Sequence, residues 1–251
     1  MNQTQQISGN CIMNHKIQLF LLPYAGGSSF SFMKLVHFLN PQIEAIPIEY
    51  AGRGRRKEEQ LIKNYDSFLL DVVKQIKEQR NEKIPFSVLG YSMGSALAFD
   101  ICSQQLIDRN PFHIFFCAEG SLISDSKIRK YALLPYESFK EKIVRLGGLD
   151  ERVLKDEVIL NNYLHLIKSD FDILGQFVYK GNAVICDASI IYSTKDSTCN
   201  DMEDWKKIIA GNVSFYQVGD NHFFVNQEYK RVANIVNHVL LPEITDVNNR
   251  G

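Results

Sequence analysis

The sequence predicts an α/β fold: a mostly parallel central sheet with helices on both faces and a helical insertion. Three observations lead there. Short apolar runs ended by turn residues alternate with segments of helical periodicity. A glycine-flanked serine, Ser92, stands where a strand runs directly into a helix. The alternation then lapses between about residues 121 and 180, where helix-like pieces replace strands. Strands that alternate with helices are joined by crossovers, which makes neighbouring strands parallel and covers both faces of the sheet.

In chain order, Ile17 to Pro23 reads as a buried strand ended by Pro-Tyr-Ala-Gly-Gly. Ser28 to Leu39 reads as a helix, with Phe32, Leu35, Val36 and Leu39 on one face, and Ile43 to Glu49 as the second strand. From Tyr65 to Ile76 the apolar residues Tyr65, Phe68, Leu69, Val72, Val73 and Ile76 recur at helical spacing. Pro85 to Tyr91 is a third strand, Met93 to Gln105 a helix and Phe112 to Ala118 a fourth strand. The insertion carries helices at Tyr136 to Leu146 and Val158 to Ile167, and its place beyond a strand end suits a lid over a binding site. Strands at Ile185 to Ser193 and Val213 to Val218, then a helix from Phe223 to Leu241, complete the pattern.

The expected organisation is a disordered extension over residues 1–15 and one domain over 16–251. With 28 basic and 29 acidic residues the net charge is −1, which argues against nucleic acid or an anionic membrane as the main partner. The five cysteines form no C-x-x-C pair and are odd in number, so neither a disulfide framework nor a metal knuckle is expected. A reducing, cytoplasmic setting follows from that usage. Met1 to Asn14 has no basic residue and no apolar core, so it does not read as a signal peptide.

Leu89-Gly90-Tyr91-Ser92-Met93-Gly94 holds G-x-S-x-G between a strand and a helix, the setting of a nucleophile elbow in an α/β-hydrolase fold. Gly90 and Gly94 let strand and helix close around the sharp turn. The base must be a later histidine, because the order in this fold is serine, acid, histidine. Of His113, His165, His222 and His238, His222 follows the last strand and precedes the last helix, which puts it at the carboxyl edge of the sheet. The acid expected after the preceding strand is Asp196, with Asp201, Asp204 and Asp220 as rivals. Oxyanion donors are expected from the Met93 N–H and from the loop after the first strand, Ala25 first and Gly26 next.

These segments resemble the type II thioesterases that accompany nonribosomal peptide and polyketide synthases. Four stretches carry the resemblance: Leu21 to Ser28, Glu49 to Arg56, Gly90 to Ser95 and Gly219 to Phe224. Ala51 stands where the family has proline, and Tyr91 where it has histidine. The resemblance implies hydrolysis of acyl thioesters carried on the 4′-phosphopantetheine arm of acyl or peptidyl carrier domains. It implies no cofactor bound to the enzyme itself, no metal and a monomer. It also supports Asp196 and adds Asp170 as a second carboxylate of interest, although a solvated helix surface is the expected place for Asp170. Gly26, Tyr91, Phe223 and Arg53 are further candidates for substrate contact. Arg53 belongs to the basic run Arg53, Arg55, Arg56 and Lys57, expected as a solvated loop or as a contact for a phosphate or an acidic carrier. An oxygen-ester hydrolase and a non-catalytic binding protein on the same fold remain the alternatives.

Overall fold

Six of the apolar runs form the sheet: β1 (Ile17–Leu22), β2 (Ile43–Pro47), β3 (Phe86–Tyr91), β4 (Ile114–Cys117), β5 (Ala188–Tyr192) and β6 (Val213–Gln217). Their order is β2-β1-β3-β4-β5-β6, and every pairing is parallel. This is a computed structural model that describes residues 15–123 and 129–241. The expected N-terminal extension lies outside the described residues but for His15, and so does part of the insertion, residues 124–128.

Side-chain alternation sorts the strands onto two faces. Phe20, Leu22, Val88, Phe116 and Ile190 point into one core layer with α2 (Tyr65–Gln79) and α3 (Met93–Ser103). Leu19, Leu21, Leu89, Phe115 and Ile191 point into the other, with α1 (Met33–His37) and α7 (Tyr229–Leu240). Each such buried side chain contributes about 1.5–3 kcal/mol of transfer free energy. Helix α2 starts where Asn64 turns extended and its side chain accepts the Ser67 N–H at 3.0 Å, satisfying a backbone donor that the first turn leaves open. Every residue of α3 is buried, which suits its side chains, apolar or small except for Asp100.

Between β4 and β5 the described residues contain no strand of the sheet. They form α4 (Tyr136–Leu146), α5 (Glu151–Lys155) and α6 (Glu157–Leu174), as the missing alternation predicts. Phe139, Ile143, Leu160, Leu164, Ile167 and Phe171 make a third apolar cluster inside this insertion. Ile173 and Leu174 at the end of α6 reach the main core, which ties the insertion to the sheet layer.

Two predicted helices come out differently. Ser28 to Leu39 divides into a 3-10 turn over Ser29–Phe32, capped by Ser28, and the five-residue α1. The last helix begins at Tyr229 rather than Phe223, after a 3-10 turn over Phe224–Asn226. Here the Tyr91 hydroxyl donates to the His222 carbonyl at 2.7 Å and accepts the Val225 N–H at 3.4 Å. The His222 carbonyl is thereby drawn out of the helical pairing it would otherwise join, and the Val225 N–H gains an acceptor from a side chain.

Candidate active site

Ser92 occupies the turn between β3 and α3 with φ 51° and ψ −115°, a conformation that costs a non-glycine residue about 1–3 kcal/mol. The surroundings enforce it. A Cβ on Gly90 would collide with the Gly94 carbonyl, and one on Gly94 with the Leu22 carbonyl, so three chain segments meet with no room for side chains. Met93 is the first residue of α3, so helix geometry offers its N–H no acceptor within the helix.

His222 Nε2 lies 3.1 Å from Ser92 Oγ, and His222 Nδ1 lies 2.7 Å from Asp196 Oδ2. All three side chains are buried. Burial opposes the charge on Asp196, but hydrogen bonds from His222 and Thr198 and the attraction of His222 outweigh it and hold the carboxyl below its ordinary range. Thr198 donates from its backbone at 2.9 Å and from its hydroxyl at 2.7 Å to Asp196 Oδ1. The Tyr91 hydroxyl bond to the His222 carbonyl anchors the histidine's own backbone.

The rival residues lie elsewhere. His113 bonds Ser189 at 2.9 Å on the strand side, and burial pushes its imidazole down to about 4. His165 and His238 are exposed on α6 and α7. Asp204 pairs with Lys207 at 2.6 Å and Asp220 with Lys195 at 3.4 Å, while Asp201 caps a 3-10 turn.

In the loop after β1, the Gly27 N–H closes a turn on the Tyr24 carbonyl at 2.8 Å, and the Gly26 N–H donates to Asp170 Oδ2 at 2.6 Å. Ala25 lines the pocket, whereas the Gly26 N–H is taken up by Asp170. The pocket is narrow, with a cavity volume of about 30 Å³. Ser92, His222, Tyr24, Ala25 and Phe223 form its reactive side; Ile143, Leu146, Gly148, Tyr163, Ile167 and Phe171 of the insertion form its apolar wall. Gly148 must lack a side chain, because its φ is +83° and a Cβ would sit 2.5 Å from the Phe223 ring.

Three residues named for substrate contact are not among those that line the pocket. Tyr91 is fully buried beneath the elbow, packed on Tyr24 and Phe224. Gly26 is not among the lining residues: its N–H bonds Asp170 and its carbonyl accepts the Tyr163 hydroxyl. Arg53 is not solvated: both of its terminal nitrogens bond the two Asp170 oxygens, and the side chains of Arg53 and Asp170 are 4% and 0% exposed. Asp170 is equally far from the helix-surface role expected of it. A signal for it was present: Asp170 falls three residues after Ile167 and four before Leu174, on the apolar face of α6, where a carboxylate requires a buried partner. Thr198 left no comparable signal, since a threonine two residues after an aspartate reads as an ordinary turn.

The family model for the thioesterase domain matches residues 17–240. The chain belongs to this thioesterase family. The thioesterase is 29% identical to the gramicidin S biosynthesis protein GrsT of Aneurinibacillus migulanus, over 87% of each chain. It is 26% identical to the medium-chain S-acyl fatty acid synthase thioesterase of Homo sapiens, over 86% of this chain and 84% of that one. Among solved structures it superposes on ClbQ from the colibactin pathway with a TM-score of 0.80 and 25% identity, covering 90% of this chain and 97% of that one. Among the described residues, the thioesterase has no helix long and apolar enough to cross a membrane.

Proposed function

We propose that this thioesterase hydrolyses acyl groups from the phosphopantetheine arm of carrier-protein domains, as the type II, editing enzyme of a nonribosomal peptide or polyketide pathway. The observation that carries the reading is the continuous hydrogen-bonded line from Ser92 through His222 to Asp196, opening onto an apolar pocket roofed by the insertion. Relatedness to GrsT and to thioesterase PikA5 of Streptomyces venezuelae, 25% identical, supports the choice of pathway class.

In this reading Ser92 Oγ attacks the thioester carbonyl while His222 Nε2 takes its proton, and Asp196 holds the imidazole in the tautomer that leaves Nε2 free to accept. The oxyanion is received by the N–H groups of Ala25 and Met93. Collapse breaks the C–S bond, and the protonated His222 returns the proton to the leaving thiol. Water then enters; His222 removes a proton from it, hydroxide adds to the acyl-Ser92 carbonyl, and Ser92 leaves with that proton as the free acid is released. The site residues serve both halves of the cycle, and the pantetheine arm comes with the substrate.

The test compares kcat/KM for one acyl group on a carrier protein, on free pantetheine, on a short thiol and as an oxygen ester. The expected order places the carrier thioester first, because contacts remote from the carbonyl improve positioning at it. Equal values for the three thioesters would remove carrier recognition, and a preference for the ester would make the protein a carboxylesterase.

A further inference from the structure

We propose that helix α6 positions the oxyanion loop through both polar groups of Gly26, with the Asp170 carboxylate holding its N–H and the Tyr163 hydroxyl holding its carbonyl. The two bonds are 2.6 Å and 2.9 Å long and span more than a hundred residues of sequence. The inference rests on the oxyanion role proposed above for Ala25.

The turn itself explains why Gly26 needs holding. The Gly27 N–H bond to the Tyr24 carbonyl and the Gly26 φ of +77° make Tyr24–Gly27 a type II turn. The competing type I turn differs by a flip of the Ala25–Gly26 peptide, and that flip would swing the Gly26 N–H away from Asp170. The carboxylate therefore reinforces the type II turn that glycine at the third position permits. Arg53 makes this possible. A fully buried carboxylate is tolerable only when paired, and Arg53 bonds both of its oxygens while also reaching the Gly27 carbonyl at 3.4 Å. Burial pushes the Tyr163 hydroxyl up to about 12, so it stays protonated and donates. An oxyanion donor must be held to within roughly half an ångström of its productive position, and the loop has no side chain that would do this alone.

Helix α6 also lines the pocket through Tyr163, Ile167 and Phe171. An acyl group seated against α6 thus rests on the helix that sets the oxyanion donor, and seating and charge stabilisation share one element. Asp170 and Tyr163 are positioning residues: neither is placed to reach the reacting carbonyl with the group that holds Gly26.

The test uses two variants of the full chain. Arg53→Met/Asp170→Leu removes both charges together and so leaves no buried ion unpaired. Tyr163→Phe keeps the ion pair and removes only the bond to the Gly26 carbonyl. Each is assayed on an acyl-pantetheine thioester and on a p-nitrophenyl ester of the same acid, which draws on the same oxyanion donors. Each is also titrated with an alkyl boronic acid, which forms a tetrahedral adduct on Ser92, and with a non-hydrolysable thioether of the same acyl chain. The expected result is a loss in kcat of about 100-fold in the double variant and about tenfold in Tyr163→Phe. Boronic acid affinity should fall by matching factors, while thioether affinity changes less than about threefold. A folded variant of either kind that keeps kcat within about threefold of wild type overturns the proposal. So does a loss of thioether affinity equal to the loss of boronic acid affinity, since α6 would then only shape the pocket. Should the double variant fail to fold, Tyr163→Phe decides. A wild-type protein that cleaves the p-nitrophenyl ester but not the thioester overturns the substrate class proposed above and leaves this comparison intact.

Discussion

His222 Nε2 stands 3.1 Å from Ser92 Oγ across 130 positions of sequence, although two strands separate β3 from β6 in the sheet. A wholly parallel sheet places every strand's carboxyl end on one edge, so the turn after β3 and the loop after β6 open on the same side. The Tyr91 hydroxyl closes the remaining span by bonding the His222 carbonyl at 2.7 Å. The catalytic reading of this pair leads to the predictions that follow.

Ser92→Ala should fold as the wild type does, since alanine keeps the Cβ and inherits the same backbone turn. Stability should change by less than about 1 kcal/mol, while hydrolysis falls on the order of 10⁵-fold. Urea denaturation and steady-state assays on one preparation check both halves. Activity retained at even a few per cent would exclude Ser92 as the nucleophile.

Asp196→Asn should lower kcat by about 10⁴-fold, because the amide no longer orients the imidazole or balances its charge. Asp204→Asn removes only a partly exposed partner of Lys207 and should cost less than about threefold. Comparable losses at the two positions would contradict the assignment of Asp196.

Acid stability should report the same carboxylate. The folded Asp196 sits below its ordinary range: burial resists the charge, and the His222 and Thr198 hydrogen bonds outweigh it. Its unfolded value is about 3.9. Because the folded value is the lower one, its contribution is present above the unfolded value and disappears as pH falls through the folded value. The difference in urea midpoint between wild type and Asp196→Asn should therefore shrink on acidification from pH 6 to pH 3. A difference that stays constant would mean that Asp196 does not titrate as a depressed carboxylate.

Gly94→Ala should destabilise by about 2–5 kcal/mol, because its Cβ would meet the Leu22 and Pro23 carbonyls, which are backbone and cannot swing aside. Gly181→Ala is the control: it has open space around it and a φ of +81°, so only backbone strain of about 1–2 kcal/mol applies. Chemical denaturation of the two variants measures the contrast. Similar losses would show that close approach at the elbow is not what requires Gly94.

Local pattern by itself determined the parallel α/β layering, the elbow at Ser92 and the helical insertion. Each is written in neighbouring residues: apolar runs, glycines two positions either side of a serine, and helical spacing in α4 and α6. His222 and Asp196 were also legible, because chain order along a parallel sheet assigns loops to one edge before any side chain is placed. Tertiary structure alone decided what became of Arg53 and Asp170. In sequence they are one member of a basic run and one acid on a helix, 117 positions apart, and each looks like a solvated charge. Folding buries both and leaves each as the other's counter-ion, a choice set by the cost of an unpaired buried charge rather than by any local preference. The helix that stops short at Tyr229 follows the same rule. Its propensity runs back to Phe223, but Tyr91 claims the backbone there, and Tyr91 becomes a neighbour only once β3 and the loop after β6 share an edge.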